Sequence, residues 1–178
     1  MRIISGTARG IKLDTLQGNS TRPTIDRVKE AIYSSIHFLV EGSSVLDLFA
    51  GSGQMGVEAL SRGANYSVFI DENVDATKII KDNLLKTKLN SKATVYHTSA
   101  EQFLLSNKKT FDIVFLDPPY AKGTLEKILP LVEKAVNNKG IVICESEVDL
   151  VLPENVGDLI KSKTYKYGKV LVTKYIKE

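Results

Sequence analysis

The chain has 178 residues, 43% of them hydrophobic and 25% charged, with a formal net charge of +3. These values describe a single globular unit able to bury its own core, and they exclude disordered, collagen-like and coiled-coil chains; no apolar run approaches the ~20 residues of a membrane span. One cysteine excludes a disulfide framework and makes a reducing compartment, the cytoplasm, the expected location.

In chain order, residues 2–5 and 11–15 read as two short strands joined by a turn at Thr7-Ala8-Arg9-Gly10, a small N-terminal β-hairpin. Residues 17–23 form a polar loop. Thr24 then caps a helix that places Val28, Ile32, Ile36 and Leu39 on one face and ends at Glu41-Gly42-Ser43-Ser44. Strands and helices alternate from there: strand 44–49, helix 54–62 closed by Gly63, strand 66–71, helix 74–89, strand 93–98 and a short helix 100–106. An apolar strand at 111–117, a helix at 124–136 and a strand at 140–145 follow, and two last strands near 158–165 and 169–175 flank Tyr167-Gly168. Such alternation predicts an α/β fold with a mainly parallel sheet covered on both faces and an antiparallel strand at its edge.

The charge is unevenly spread: residues 1–30 sum to +3, residues 161–178 to +5, and the stretch between them to −5. Basic ends around an acidic middle suit a protein that holds a polyanion at its margins. Solvated lysines on surface strands account for the C-terminal run equally well.

The first central strand runs into Asp47-Leu48-Phe49-Ala50-Gly51-Ser52-Gly53-Gln54-Met55-Gly56, with glycines spaced G-x-G-x-x-G between a strand and a helix. In an open parallel sheet this loop lies beyond the carboxyl ends of the strands, where ligands bind, and glycine permits close backbone approach. Asp71, 20 residues after Gly51, ends the next strand, where a carboxylate can accept both ribose hydroxyls of a nucleoside. The pattern leaves NAD and S-adenosylmethionine open. Asp47 favours the second, because a strand carboxylate needs a partner and the cationic aminoacyl end of S-adenosylmethionine supplies one, whereas a pyrophosphate is repelled.

The apolar strand at 111–116 feeds into Asp117-Pro118-Pro119-Tyr120. Two prolines stop the ladder and stiffen the backbone. The Asp117 carboxylate and the Pro118 carbonyl can then accept both hydrogens of an exocyclic amine while Tyr120 offers a flat face to its ring. Acceptors so placed favour the pyramidal, nucleophilic form of the nitrogen, and the gain is one of positioning and electrostatics.

Asp47…Gly51-x-Gly53 followed by Asp117-Pro118-Pro119-Tyr120 resembles the Rossmann-like S-adenosylmethionine-dependent amino-methyltransferases. Arg2-Ile3-Ile4-Ser5-Gly6, Arg22-Pro23-Thr24, the stretch from Asp26 to Tyr33, the stretch from Val45 to Gly56 and the closing Tyr167-Gly168 are similar to the RsmD family, and the resemblance covers nearly the whole chain. It implies methyl transfer from S-adenosylmethionine to the N2 amine of a guanine in 16S rRNA, in a small-subunit particle, by a monomer. It further implies a seven-stranded sheet with a reversed last strand (residues 24–178) and an RNA-contacting hairpin and loop (residues 1–23). Carried over by residue, Asp47, Phe49, Gly51, Gly53 and Asp71 line the cofactor, Ser99 or Ala100 meets its adenine, and Asp117, Pro118 and Tyr120 receive the guanine. Arg9, Lys12 and Arg22 face RNA. Ser99 departs from the acidic residue common at that place.

Cys144 lies in an apolar strand and reads as a small buried hydrophobe; with His37 and His97 it makes too sparse a set for zinc, and no metal is expected. Two other readings remain: an adenine-N6 or protein-glutamine methyltransferase using the same tetrapeptide, and an NAD-dependent oxidoreductase suggested by the three glycines alone.

Overall fold

The computed structural model describes residues 1–16, 23–119 and 123–178, with the side chains of residues 23–25 outside that description. The expected alternation is present: α1 (Pro23–Val40), β1 (Ser44–Asp47), α2 (Gln54–Ser61), β2 (Tyr66–Asp71), α3 (Val74–Lys86), β3 (Ala93–His97), α4 (Ala100–Ser106), β4 (Phe111–Leu116), α5 (Thr124–Glu133), β5 (Val136–Glu147), β6 (Asn155–Val156), β7 (Leu159–Tyr167) and β8 (Val170–Lys177). The strands lie in the order β3-β2-β1-β4-β5-β8-β7-β6. The first five are parallel, and β8 runs antiparallel between β5 and β7. The reversed last strand is therefore as expected, but the sheet has eight strands instead of seven. The extra one, β6, is two residues long and pairs with the start of β7 across a turn at Gly157, whose φ of 57° suits glycine.

Residues of β1 and β4 are buried on both sides, as central parallel strands require. Val45, Phe69, Ile113, Phe115, Ile141 and Ile143 face α1, α2 and α3. Leu46, Ile70, Val114, Leu116, Val142 and Cys144 face α4 and α5. The buried stripe of α1 is Val28, Ile32, Tyr33, Ile36 and Val40. Leu39, expected inside, is 48% exposed, because a step of four from Ile36 lands on Val40. No helix among the described residues is long and apolar enough to cross a membrane.

The N-terminal hairpin has one β-bridge, Arg2↔Lys12, with Gly10 N–H donating to Ile3 O at 2.8 Å and Ile3 N–H to Ile11 O at 3.0 Å. It shares the main core through Ile3, Ala8 and Leu13. Side chains of α2 hold it there. The buried Glu58 carboxylate accepts the N–H groups of Ile4 (2.8 Å) and Ser5 (3.0 Å), and binds Arg62 Nε at 2.7 Å. Lys29 Nζ lies 3.5 Å from the same carboxylate and donates to Arg2 O at 2.7 Å. Ser61 accepts the Ala8 N–H at 2.9 Å and donates to Ser5 O at 2.6 Å. Burial pulls the Lys29 ammonium below its ordinary pKa, against the pull of Glu58 and Asp26. Glu58→Ala removes the nearest counter-charge of the buried Lys29 and frees two part-buried N–H groups. We expect it to cost about 3–5 kcal/mol, measured as a drop in the urea midpoint.

Candidate active site

The site forms where β1, β2, β4 and β5 end. Asp47, the last residue of β1, is in register with Phe69 on β2 and Phe115 on β4. Alternation along the strands puts Asp117, two residues past Phe115, on the same face as Asp47. The loop after β1 folds back so that Asp47 Oδ2 accepts the Gly56 N–H at 3.0 Å. Asp71 closes the other side: Oδ2 accepts the Gly51 N–H and Oδ1 the Asn73 N–H, each at 2.8 Å. A carboxylate has about four acceptor positions, so two remain for a pair of hydroxyls.

The glycines divide the work. Gly51 has φ 54°, and a Cβ there would meet nothing within 4 Å, so its space opens to a ligand. A Cβ on Gly56 would lie 2.3 Å from the Phe69 ring, so that glycine seats α2 on β2. Gly53 has φ 77°, a backbone conformation that favours glycine, and a Cβ there would sit tightly, 3.2–3.3 Å from the side chains of Ile80 and Phe69. Phe49, half-buried, packs against the core on the α4–α5 side.

Burial pushes Asp47 up to about 7; the Gly56 N–H opposes that rise, and the charges of Asp117 and Asp71 add to it. Burial also pushes Asp117 up, to about 6. Asp117 keeps an open surface to water. Pro118 is buried and Pro119 exposed. Sequence reasoning missed Glu145. Leu116 is in register with Cys144, so Glu145 stands beside Asp117, and burial followed by the charges of Asp117 and Asp47 pushes it up to about 8. The available signal was a lone acid ending the apolar run from Ile141 to Cys144.

Ser99 caps α4, accepting the Gln102 N–H at 3.2 Å, so its hydroxyl is engaged; the Thr98 N–H bonds Asp71 O at 3.1 Å and holds Ser99 and Ala100 beside Asp71. Arg9 and Lys12 are exposed, with Arg9 in the hairpin turn near the far end of α2. Arg22 and Tyr120 lie outside the described residues. Burial keeps the Cys144 thiol protonated, and His97 Nε2 bonds Glu72 O, so neither joins the site. A recess of about 560 Å3 bordered by Gly6, His37 and Arg62 lies at the opposite end of α2, where Arg62 is already bound to Glu58.

The structure thus collects Asp47, Asp71, Asp117 and Glu145. Among the described residues no Lys or Arg pairs with any of them, and no three His, Cys, Asp or Glu side chains are placed to hold a metal ion. Carboxyls that raise one another's pKa welcome a cation. S-adenosylmethionine, with an ammonium, a sulfonium and ribose hydroxyls, fits these groups.

The model of a family described as conserved hypothetical protein 95 matches residues 1–176. Ribosomal RNA small subunit methyltransferase D of Haemophilus influenzae is 38% identical, over 92% of this chain and 88% of that one. The chain belongs to the RsmD family. YlbH of Bacillus subtilis is 40% identical over 99% of both chains. The solved structure of the methyltransferase yhhF from Escherichia coli superposes with a TM-score of 0.88 at 32% identity, covering 100% of this chain and 98% of that one.

The raised Asp47 pKa has two measurable effects. A proton on Asp47 cancels the charge that meets a cation, so S-adenosylmethionine affinity in calorimetry should fall as pH drops from 8 to 6, and Asp47→Asn should bind weakly with a flat pH profile. A carboxyl whose pKa is higher folded than unfolded stabilises the fold below its unfolded value, and that contribution is lost as pH rises through about 7. Asp47→Asn, which still accepts the Gly56 N–H, should therefore raise the Tm of the cofactor-free protein at pH 8 relative to wild type, with the gain shrinking as pH falls and vanishing only below the ordinary aspartate pKa of about 4.

Proposed function

We propose that the protein transfers a methyl group from S-adenosylmethionine to the exocyclic N2 amine of a guanine in 16S rRNA. The observation that carries this reading is the Asp117-Pro118-Pro119 segment continuing β4 beside Asp47, one strand from the Gly51 loop and its Asp71 partner. Relatives named ribosomal RNA small subunit methyltransferase D, 36–38% identical, support ribosomal RNA of the small subunit as the substrate class.

When bound, the cofactor would supply an electrophilic methyl group on a sulfonium, whose carbon–sulfur bond breaks to leave a neutral thioether. Asp71 accepts its ribose hydroxyls, Asp47 faces its cationic end, the backbone of Gly51 and Gly53 and the ring of Phe49 line its path, and the backbone at Ala100 next to Ser99 meets its adenine. Asp117 and the Pro118 carbonyl accept the two N2 hydrogens, which draws the nitrogen lone pair out of the ring system and aims it at the methyl. As the nitrogen–carbon bond forms, the nitrogen must lose one proton, and the Asp117 carboxylate, ionised at neutral pH yet raised in pKa, takes it. Tyr120 stacks on the purine. Residues 1–23 contact RNA, with Arg9, Lys12 and Arg22 on phosphates in a small-subunit particle.

Asp117→Ala should lose nearly all methyl transfer while S-adenosylmethionine affinity stays within several-fold; Asp117→Asn should keep more, since its carbonyl still accepts one hydrogen bond. Equal activity of the two variants would remove amine acceptance as the role of this side chain. Inosine at the target position deletes only the amine, so that RNA should bind and take no methyl group in a radiolabel assay. Methylated inosine RNA would overturn N2 as the acceptor, and equal transfer to adenine oligonucleotides would favour an adenine-N6 enzyme.

A further inference from the structure

The row of residues that holds Asp117 continues across the sheet. Asp117 stands beside Glu145, Glu145 is in register with Val172 on β8, and Val172 with Tyr165 on β7. Tyr165 is therefore three strand spacings along the same edge, about 14–15 Å. Tyr167, paired with Val170, sits one step further out at the hairpin tip. A register shift between Lys161 and Lys163 re-aims this strand. Lys161 lies opposite Tyr175, whose side chain packs on the α4–α5 face; Lys163 lies opposite Lys174, on the face that carries Asp47 and Asp117. The shift turns Lys163, Tyr165 and Tyr167 together toward the active-site face.

The two tyrosine rings are half-buried and nearly parallel, 6.4 Å apart with 27° between their planes. Lys163 Nζ lies 4.9 Å from the centre of the Tyr165 ring. Lys163, Lys166 and Lys169 are exposed, and none joins an ion pair among the described residues, whereas Lys161 and Lys177 are bound to Glu154 and Glu133. Lysines on an edge strand also keep sheets from pairing edge to edge. That need is met without two stacked rings and a bulge that turns them to one side. A stack of flat π-faces rimmed by unpaired cations is what unstacked bases and their phosphates recognise. A base that must leave its helix or loop to reach Asp117 also leaves its neighbours without a stacking partner.

We propose that the β7–β8 hairpin is a platform for the single-stranded RNA that flanks the target nucleotide, with a neighbouring base stacked on Tyr165 and Tyr167 and its phosphates met by Lys163 and Lys169. The proposal rests on the RNA methyltransferase reading above.

Tyr165→Ala and Tyr167→Ala should each weaken binding of a fluorescein-labelled, mixed-sequence RNA oligonucleotide about tenfold. KM for 16S rRNA should rise in step while kcat and S-adenosylmethionine affinity stay within twofold. Tyr165→Phe keeps the ring and should bind as wild type; Tyr165→Leu keeps apolar packing without a stacking face and should bind as weakly as Ala. Lys163→Ala with Lys169→Ala should flatten the slope of log Kd against log salt by about 1.4. Alanine and leucine variants that bind RNA at wild-type strength overturn the platform. Normal action on protein-free RNA with impaired action on assembled subunits also overturns it, and assigns the surface to a protein partner. If the wild-type protein transfers no methyl group to 16S rRNA, the proposed function falls, and the platform with it.

Discussion

A carboxylate with no counter-cation among the described residues governs this structure. Asp47 is buried at the end of a central strand, receives a single N–H from Gly56, and is pressed by the charges of Asp117 and Asp71. Burying such a group is costly unless something cationic joins it. The expense is concentrated where β1, β2, β4 and β5 end, so the parallel sheet, with apolar side chains on both faces, serves to hold these acids at fixed spacing. The strain stays local, because the strands behind it are packed with Val45, Phe69, Phe115 and Ile143.

Much of this was legible in the sequence, and the reasons are physical. Apolar strands separated by amphipathic helices specify a covered parallel sheet, so β1 to β5 and their order of appearance could be read directly. The Gly51 loop and the Asp117 tetrapeptide were visible because a ligand-facing backbone and a stiffened strand end each demand unusual residues. Finer placement depended on tertiary geometry. Leu39 and Val40 are both apolar, and only the accumulated rotation of α1 puts the second one inside. The two-residue β6 has no periodicity to read. Gly51, Gly53 and Gly56 look alike in a motif, yet one opens to a ligand, one is required by its positive φ, and one makes room for Phe69.

Glu145 and the re-aimed β7 were illegible for a related reason. Both depend on register across strands far apart in the chain, a property that no local pattern records. A single shifted pairing near Lys163 exchanges the faces of every side chain beyond it. Before that shift is known, Tyr165 and Tyr167 are two aromatics in a lysine-rich strand, and the carboxylate of Glu145 is the polar end of an apolar one.

The short helix α2 is anchored at both ends by different parts of the molecule. At its start the Gly56 N–H is tied to Asp47; toward its end Glu58 and Ser61 grip the backbone of residues 4, 5 and 8. All of its residues from Met55 to Ser61 are buried, leaving it no room to tilt. It therefore acts as a stiff strut about 12 Å long between the N-terminal hairpin and the cofactor loop. The backbone of the hairpin and the Gly51 loop are thus tied to one rigid element, so neither can shift far without displacing the other's anchor.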